Sequence, residues 1–485
     1  MNAALNRTRA TFFLLAVLCG AVALAGCEDT GLRPFKDNDD AGGALDRSYT
    51  YTPEACGYEV RTPTVKEAGP HADEAGEGSF VDHVHVSFAG PASSTFAVNW
   101  RSNEDNRASQ VLYGTDREAV EAAKGPTDAV KLQGGHHMLY QDVVDEETRI
   151  HETHVCGLEP NTNYFYKVGG AGVWSEVFST STGPETGSSS PIRLAVFGDS
   201  RNPKGKAWTN VVKAAVDAQA DLALFSGDAV FFGTQQALWD QFFEAKDGDF
   251  SVQNALASLP MMVTNGNHDA LSVNFIAQFA MPQAQSDGER AEGEEWYSFD
   301  YGNVHVAVLN DTVLDESVLG GSESQWLAAD LAAVDRTKTP WVFVVHHRPF
   351  YTCQSNHRPD ASLRQSWQPI FDQHHVDLVF TGHNHVYERS VPIRGLMGGE
   401  GMAASSEANG IPVIDGQGLP SGTIYLVSAG AGAELYGVST ECGLTQAALS
   451  AHNYLRVDVD GLDITVAAIN TDTGATIDTF TYSKE

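Results

Sequence analysis

The chain contains few basic residues for its length. Its 485 residues include 30 lysines and arginines against 63 aspartates and glutamates, which gives a formal net charge of −33. This excess would repel a polyanion over the whole surface and therefore argues against a nucleic acid or an acidic membrane surface as a partner. A small phosphate ester is not excluded, because a bound metal ion would dominate the charge at the site itself.

Long apolar runs are scarce as well. The candidate segment, 12–25, follows Arg7 and Arg9 and is too short for an ordinary spanning helix, so it has the pattern of an export signal. It ends in Leu-Ala-Gly-Cys27, which resembles a bacterial lipobox. We expect residues 1–26 to be a lipoprotein signal peptide and a lipidated Cys27 to be the only membrane contact. The protein would then be exported and anchored in the bacterial cell envelope, on its periplasmic or surface face. An ordinary secretory signal is the alternative.

Cysteine is rare and never has CxxC spacing, which argues against a cysteine metal site. Beyond the signal peptide and Cys27, four cysteines remain: Cys56, Cys156, Cys353 and Cys442. An even number in an exported protein predicts disulfides. Three pairings are possible, of which the domain boundaries favour Cys56–Cys156 and Cys353–Cys442.

What the chain does contain is five short apolar segments, each followed by residues of metal-binding types. Such segments are typical of strands that are buried on both faces of a parallel sheet. Ligands bind at the carboxyl ends of these strands, so the residues that follow should meet at one edge. A single aspartate there could equally be a helix cap, but five segments in order favour a site. The residues that follow them are Asp199, Asp228, Asn267, His347, and His383 with His385.

The fuller motifs resemble the purple acid phosphatase branch of the calcineurin-like metallophosphoesterases. The resemblance covers roughly residues 80 to 485 and implies an α/β sandwich of the αββα type over residues 192–485. It also implies metal-dependent hydrolysis of phosphate esters. The motifs are Gly198-Asp199, Gly227-Asp228-x-x-Phe231, Gly266-Asn267-His268, His347-Arg348-Pro349-Phe350-Tyr351 and Gly382-His383-x-His385-x-Tyr387-Glu388-Arg389.

A β-rich domain is predicted upstream, over residues 76–182, where apolar residues alternate with period two. Its segment 157–169 resembles a fibronectin-III-like sandwich, an architecture that also fits the N-terminal domain of purple acid phosphatases. Residues 27–75 are expected to form a flexible acidic tether, part of which Cys56 could pin, and residues 183–191 a linker. The histidines of this domain are interpreted as surface or structural residues: His83, His85, His136, His137, His151 and His154.

The resemblance further implies a dinuclear metal site and no other cofactor. One ion would bind Asp199 and His385, and the other Asn267, His347 and His383. Asp228 would bridge the two ions. Carboxylate, amide and imidazole ligands suit Fe, Zn or Mn, and the pair stays open. A metal-bound hydroxide is the expected nucleophile.

Three more residues are candidates for catalysis. The resemblance implies that His268 assists at the phosphate, with a structural hydrogen bond as the alternative. His357 is near the place of a leaving-group acid, and a solvated loop histidine is the alternative. Arg201 is expected to supply positive charge, to the phosphate itself or to a salt bridge within its loop.

The chain departs from the family at two positions. Phe231 stands where purple acid phosphatases have a metal-binding tyrosine, and Arg201 stands where other metallophosphoesterases have a histidine ligand. The ion at Asp199 and His385 therefore loses a ligand by either route. We expect this ion to be weakly held and the protein not to be purple.

The favoured function is hydrolysis of phosphomonoesters, as in acid phosphatases, with a small phosphate ester as substrate. A phosphodiesterase or nucleotide pyrophosphatase could use the same site. A degenerate, non-catalytic surface binding protein is the alternative from another class, and the lost metal ligand is its only support.

Overall fold

The structure is a computed structural model that describes residues 49–62, 65–70, 75–76, 78–201, 205–283, 295–312, 321–395 and 422–484. The predicted signal peptide and Cys27 lie outside these residues. Within the described ranges, no helix is long and apolar enough to cross a membrane.

The first region consists almost entirely of strands. Its elements are β1 (Thr50–Tyr51), β2 (Val60–Arg61), β3 (Glu67–Pro70), β4 (Asp82–Ser87), β5 (Thr95–Ser102), β6 (Gln110–Gly114), α1 (Arg117–Ala122), β7 (Lys131–Gly134), β8 (His136–Gln141), β9 (Glu147–Cys156), β10 (Asn163–Gly170), β11 (Val173–Trp174) and β12 (Phe178–Ser181).

Two five-stranded sheets form the predicted sandwich. One has the order β3-β8-β9-β5-β4, and the other has the order β11-β10-β6-β7 with β12 paired to β10. Because side chains alternate along a strand, Phe96, Val98 and Trp100 of β5 share one face and enter the core. The Phe96 ring lies 5.6 Å from that of Tyr166 on β10, which joins the sheets. The Tyr164 hydroxyl accepts the N–H of Glu159 at 3.0 Å, a tyrosine that anchors its corner.

The structure favours one of two alternatives for the histidines of this region and differs from the expectation for the tether. The six sandwich histidines are at most 4% exposed, so they are structural rather than surface residues. The predicted tether contains strands, since β1 pairs with β2 and β3 pairs with β8 at the sheet edge. A disulfide between Cys56 and Cys156 fastens this segment to the end of β9, and this bond explains why the segment does not form a free tether.

The second region alternates strands and helices. Its elements are β13 (Ile192–Phe197), α2 (Lys206–Asp217), β14 (Leu222–Phe225), α3 (Gln236–Phe243), β15 (Lys246–Asp247), β16 (Phe250–Ser251), α4 (Val252–Leu256), β17 (Met261–Val263), α5 (Val273–Gln278), β18 (Tyr297–Tyr301), β19 (Val304–Val308), α6 (Glu323–Ala333), β20 (Trp341–Val345), α7 (Ala361–His374), β21 (Leu378–Thr381), β22 (Tyr387–Ser390), β23 (Ile424–Ser428), β24 (Thr445–Leu449), β25 (Asn453–Asp460), β26 (Asp463–Asn470) and β27 (Thr476–Ser483).

Two sheets pack face to face in this region. Their orders are β17-β14-β13-β25-β26-β27 and β18-β19-β20-β21-β23-β22-β24. Strand β20 shows how the layers form, because Phe343 and Val345 enter the core that both sheets share. Val342 and Val344 point to the other face, where they pack with α6 and α7. The α/β sandwich expected from the sequence is therefore confirmed.

A second disulfide joins Cys353, between β20 and α7, to Cys442, before β24. Both of the pairs that the domain boundaries favoured are therefore present, and the other two pairings are excluded. The second bridge ties together two segments that border the edge where the predicted ligands lie.

Candidate metal centre

The predicted ligands all follow strands that end at one edge. β13, β14 and β17 run parallel in one sheet, and β20 and β21 run parallel in the other. Asp199, Asp228 and His383 have φ of +60°, +58° and +66°, a conformation that non-glycine residues rarely adopt. Such backbone strain clusters at functional sites, and here it falls on three of the six expected ligands.

Two glycines allow the loops to approach one another. A Cβ atom on Gly382 would lie 2.5 Å from Oδ2 of Asp199, and one on Gly227 would lie 2.8 Å from Nδ1 of His347. Both contacts are too short for a real side chain. Glycine at these positions is therefore what lets the strand ends bring their polar groups together.

One set of donor atoms converges on a point that we call the first position, formed by Asp228, Asn267, His347 and His383. Oδ1 of Asn267 lies 3.1 Å from Nε2 of His347 and 3.0 Å from Nδ1 of His383. Oδ1 of Asp228 lies 3.3 Å from Nε2 of His347. The ligand atoms of Asp228, His347 and His383 all lie within 4.8 Å of one another. An ion of Fe, Zn or Mn fits this mixture of carboxylate, amide and imidazole.

The histidines are oriented by backbone carbonyls. The Nδ1 atoms of His347, His385 and His268 lie 2.8, 2.6 and 2.8 Å from the carbonyl oxygens of residues 226, 434 and 231. Each ring must carry its proton on Nδ1 to donate there, which turns Nε2 toward the site. Metal-binding histidines are typically held in this way.

Charge accumulates at the first position. Burial alone would raise the pKa of Asp228, but His347, His268 and Arg201 together hold it well below its usual range. Burial would lower the pKa of His347, but the carboxylates of Asp228 and Asp199 raise it to about 10. A proton on Nε2 thus lies where an ion would bind, so that metal binding must release it.

The remaining donors form a second position, made of Asp199, His385 and Oδ2 of Asp228. Nε2 of His385 lies 3.3 Å from Oδ1 of Asp199. The guanidinium of Arg201 lies among these atoms. Its terminal nitrogens contact Nε2 of His385 and Nε2 of His268, and its Nε lies 3.5 Å from Oδ2 of Asp228. Burial would lower the pKa of Arg201, but Asp228 and Asp199 raise it.

His357 borders the same cluster. Its ring centroid lies 4.5 Å from that of His383, and its Nε2 lies 3.4 Å from the hydroxyl of Tyr436. Burial, followed by the nearby His385 and Arg201, lowers its pKa. The structure therefore brings all nine predicted site residues to one edge. His346 does not join them, because its Nδ1 lies 3.1 Å from Asp311 in the core.

Two residues at this edge were missed by sequence reasoning. Tyr436, after β23, stacks on His385 with ring centroids 4.2 Å apart, and no motif marks it. Asp269 accepts the backbone N–H groups of Asp228 and Gly266 at 2.8 and 2.9 Å, which fixes the loop that carries Asp228. Its place directly after Asn267-His268 was a usable signal. The Phe231 side chain is 46% exposed and lies against His268, with ring centroids 5.1 Å apart.

Comparisons with known proteins agree with the two regions of the fold. A family model described as "Purple acid Phosphatase, N-terminal domain" matches residues 81–182, and one described as "Calcineurin-like phosphoesterase" matches residues 192–387. Purple acid phosphatase 21 of Arabidopsis thaliana is 32% identical over 325 residues, which cover 65% of this chain and 67% of that protein. Purple acid phosphatase 22 of Arabidopsis thaliana is 32% identical over 320 residues, which cover 63% and 66%.

Among solved structures, a purple acid phosphatase from yellow lupin (Lupinus luteus) seeds superposes with a TM-score of 0.68 at 20% identity. The match covers 84% of this chain and 75% of that one. At this level of identity the superposition shows the fold, which agrees with the two regions described above.

Proposed function

The chain belongs to the purple acid phosphatase family, and from that premise we propose that it hydrolyses phosphate monoesters at the edge where the predicted ligands meet. Membership makes it a metallophosphoesterase, a metal-dependent hydrolase of phosphate esters. The preference for monoesters is the finer part of the proposal. The observation that supports hydrolysis at this edge is the convergence of four side chains on the first position: Asp228, Asn267, His347 and His383.

An ion of Fe, Zn or Mn at the first position would withdraw charge from the phosphoryl group and make water a better nucleophile. The protein's part is to hold the four ligands in place, with the imidazole of His347 fixed by a carbonyl oxygen. Asp228 has a second oxygen, Oδ2, which faces the second position. The expected dinuclear centre would therefore share Asp228, and it requires the Arg201 guanidinium to leave the second position.

The positive charge near the site supports a monoester. A monoester carries two negative charges at neutral pH and a diester carries one, so the monoester gains more from a cation at fixed geometry. Arg201 supplies such a cation beside the first position, and Nε2 of His268 accepts a hydrogen bond from it. In this arrangement His268 acts on the phosphate through Arg201. His357 is close enough to the ligands to protonate a leaving group.

The test compares two chromogenic substrates on one preparation of the purified protein. We expect p-nitrophenyl phosphate to be hydrolysed with a higher kcat/KM than bis(p-nitrophenyl) phosphate. Activity should be lost on chelation and return with added metal. A preference for the diester would favour a phosphodiesterase instead. Absence of both activities in metal-loaded protein would favour the binding-protein alternative.

We also propose that the protein is exported and lipid-anchored through Cys27. The two disulfides support export, because such bonds persist in oxidising compartments. Palmitate should label the natural protein but not a Cys27→Ser variant in growing cells. Equal labelling of the two would contradict the anchor.

A further inference from the structure

We propose that this chain holds one metal ion, at the first position, and that the guanidinium of Arg201 takes the place of an ion at the second position. The chemistry of this inference rests on the proposed function, whereas the number of ions does not. It deepens the account of the site by replacing the expected dinuclear centre with a centre of one ion and one fixed cation.

The first argument is that the second position is already filled by protein atoms. Its donors are Nε2 of His385, a carboxylate of Asp199 and Oδ2 of Asp228. One terminal nitrogen of Arg201 contacts Nε2 of His385, and the Nε of Arg201 lies 3.5 Å from Oδ2 of Asp228. An ion that used these donors would have to displace the guanidinium.

The second argument concerns charge. Asp199 and Asp228 are completely buried, and buried carboxylates require a compensating cation. Arginine supplies that charge at every accessible pH. A divalent ion brought to the same few ångströms would be repelled by the guanidinium, and this repulsion is strong in a buried site. The guanidinium of Arg201 therefore neutralises the carboxylates, and the affinity of the second position for an ion is reduced.

The third argument concerns ligands. The residues at the two places where an additional ligand is expected are Arg201 and Phe231. A guanidinium has no lone pair to offer, and a phenyl ring cannot coordinate. The Phe231 side chain is 46% exposed and faces His268. The first position, by comparison, has four side-chain donors.

The fourth argument is that Arg201 is held in place. Its side chain is 11% exposed, and the imidazole of His268 accepts a hydrogen bond from it. The Nδ1 atom of that imidazole is fixed in turn, 2.8 Å from the carbonyl oxygen of residue 231. The hydroxyl of Ser200, the preceding residue, donates to the carbonyl of Ala229 at 2.7 Å. Arg201 is therefore built into the site as a positioning and charge-supplying residue, and its terminal nitrogens can donate to the phosphoryl oxygens of a monoester.

The experiment counts ions by elemental analysis after equilibrium dialysis against Mn²⁺, and it uses the electron paramagnetic resonance spectrum as a second readout. We expect one Mn²⁺ per chain in the natural protein, with the spectrum of an isolated ion. The Arg201→His variant removes the fixed charge and adds a nitrogen donor, so it should bind a second ion that is magnetically coupled to the first. Arg201→Lys keeps the charge and should remain at one.

Arg193→His is the matched control, because Arg193 lies on β13 and pairs with Asp458. It removes an arginine of the same strand–loop unit and should leave the count at one. Circular dichroism of each variant shows whether it is folded.

Two coupled ions in the natural protein would overturn the inference. A strong visible tyrosinate band in the iron-loaded protein would also overturn it, since Tyr436 would then be a ligand at the second position. A count of one in folded Arg201→His would show that the guanidinium does not exclude the second ion. One bound ion without hydrolysis of any ester would contradict the proposed function and leave this inference intact. Two ions with monoester hydrolysis would do the reverse.

Discussion

Histidine is buried in two regions of this protein, and the two groups serve different ends. In the sandwich, the ring nitrogens of His151 lie 2.7 Å from the hydroxyls of Ser102 and Ser109, and the ring stacks on Trp100. Both nitrogens of that residue are therefore engaged by neutral groups. At the metal centre, His347 uses one nitrogen on a carbonyl oxygen and turns the other toward Asp228 and Asn267. Burial is thus shared by His151 and His347, and the partner of the second nitrogen separates the structural His151 from the candidate ligand His347.

The pKa values follow the same division. Burial, followed by the neighbouring His137 and Arg149, holds the pKa of His151 well below its usual range. At His347 burial acts in the same direction, but two carboxylates outweigh it. A buried imidazole therefore becomes a place for a cation only where carboxylates face it.

One cluster, formed where the sandwich meets the second region, places carboxylates beside a sandwich histidine. Asp82 of the sandwich and Glu244 of the second region each place a carboxylate oxygen within 4.8 Å of a ring nitrogen of His83, which is fully buried. Arg101 already lies there, 2.7 Å from Asp82 and 3.2 Å from Glu244. As at the second position of the metal centre, an arginine supplies the charge that an ion could have supplied.

The largest effect is expected when a candidate ligand, His347, is removed from the first position. His347→Ala should lower kcat/KM for p-nitrophenyl phosphate by roughly 10³-fold or more, because it removes a donor from the first position. Bound metal per chain should fall in parallel, as measured by elemental analysis. His346→Ala, a neighbour that faces the core, is the matched control and should retain bound metal. Full metal content in His347→Ala would contradict the assignment of His347 as a ligand.

The next largest effect is a loss of stability on substitution of a sandwich histidine, His151. His151→Ala removes the imidazole that bonds to the hydroxyls of Ser102 and Ser109 and opens a cavity beside Trp100, so the free energy of unfolding should fall by about 2–4 kcal/mol. Chemical denaturation measures this loss. Activity per folded molecule should stay unchanged. A drop in bound metal without a drop in stability would show that the division between the two groups is wrong.

The smallest effect concerns His305, which belongs to neither group. Its ring nitrogens lie 2.8 Å from Asp300 and 2.9 Å from Asp330, and these carboxylates raise its pKa to about 9 although burial opposes them. Because the folded pKa lies above the unfolded value, the stabilisation is complete below about pH 6.5 and is lost as the pH rises through 9. The loss should be about 2 kcal/mol after allowance for the partly exposed carboxylates.

Denaturant titrations across this pH range would measure the change, with His305→Asn as the comparison. That variant should be less stable below pH 6.5, and its free energy of unfolding should depend less steeply on pH. An equally steep dependence in His305→Asn would assign the effect to other groups.

Much of the second region could be predicted from its segments. Each of the five ligand-bearing strands is a short apolar run, and its burial on both faces is a local property of the sequence. The sandwich followed from period-two alternation and from the segment that contains Tyr164. The Cys56–Cys156 disulfide was favoured from the sequence, but the strands within residues 49–62 and 65–70 were not predicted, because they depend on pairing with distant segments such as β8. The choice between surface and structural roles for the sandwich histidines stayed open for a related reason, since residues such as His83 and His85 are covered by rings of the second region.

The residues that reach the site can be identified from local patterns, because a strand end followed by glycine and a polar residue is encoded within a few positions. How those residues act on one another depends on the packing of segments that are distant along the chain. Arg201 and His385 are separated by 184 positions, and their contact exists because two sheets pack with their carboxyl ends at one edge. Tyr436 comes to His385 in the same way, across a loop that no motif marks. Local patterns identify the candidate ligands. The packing of the sheets places a guanidinium among them, because residues that are far apart along the chain can lie close together in space.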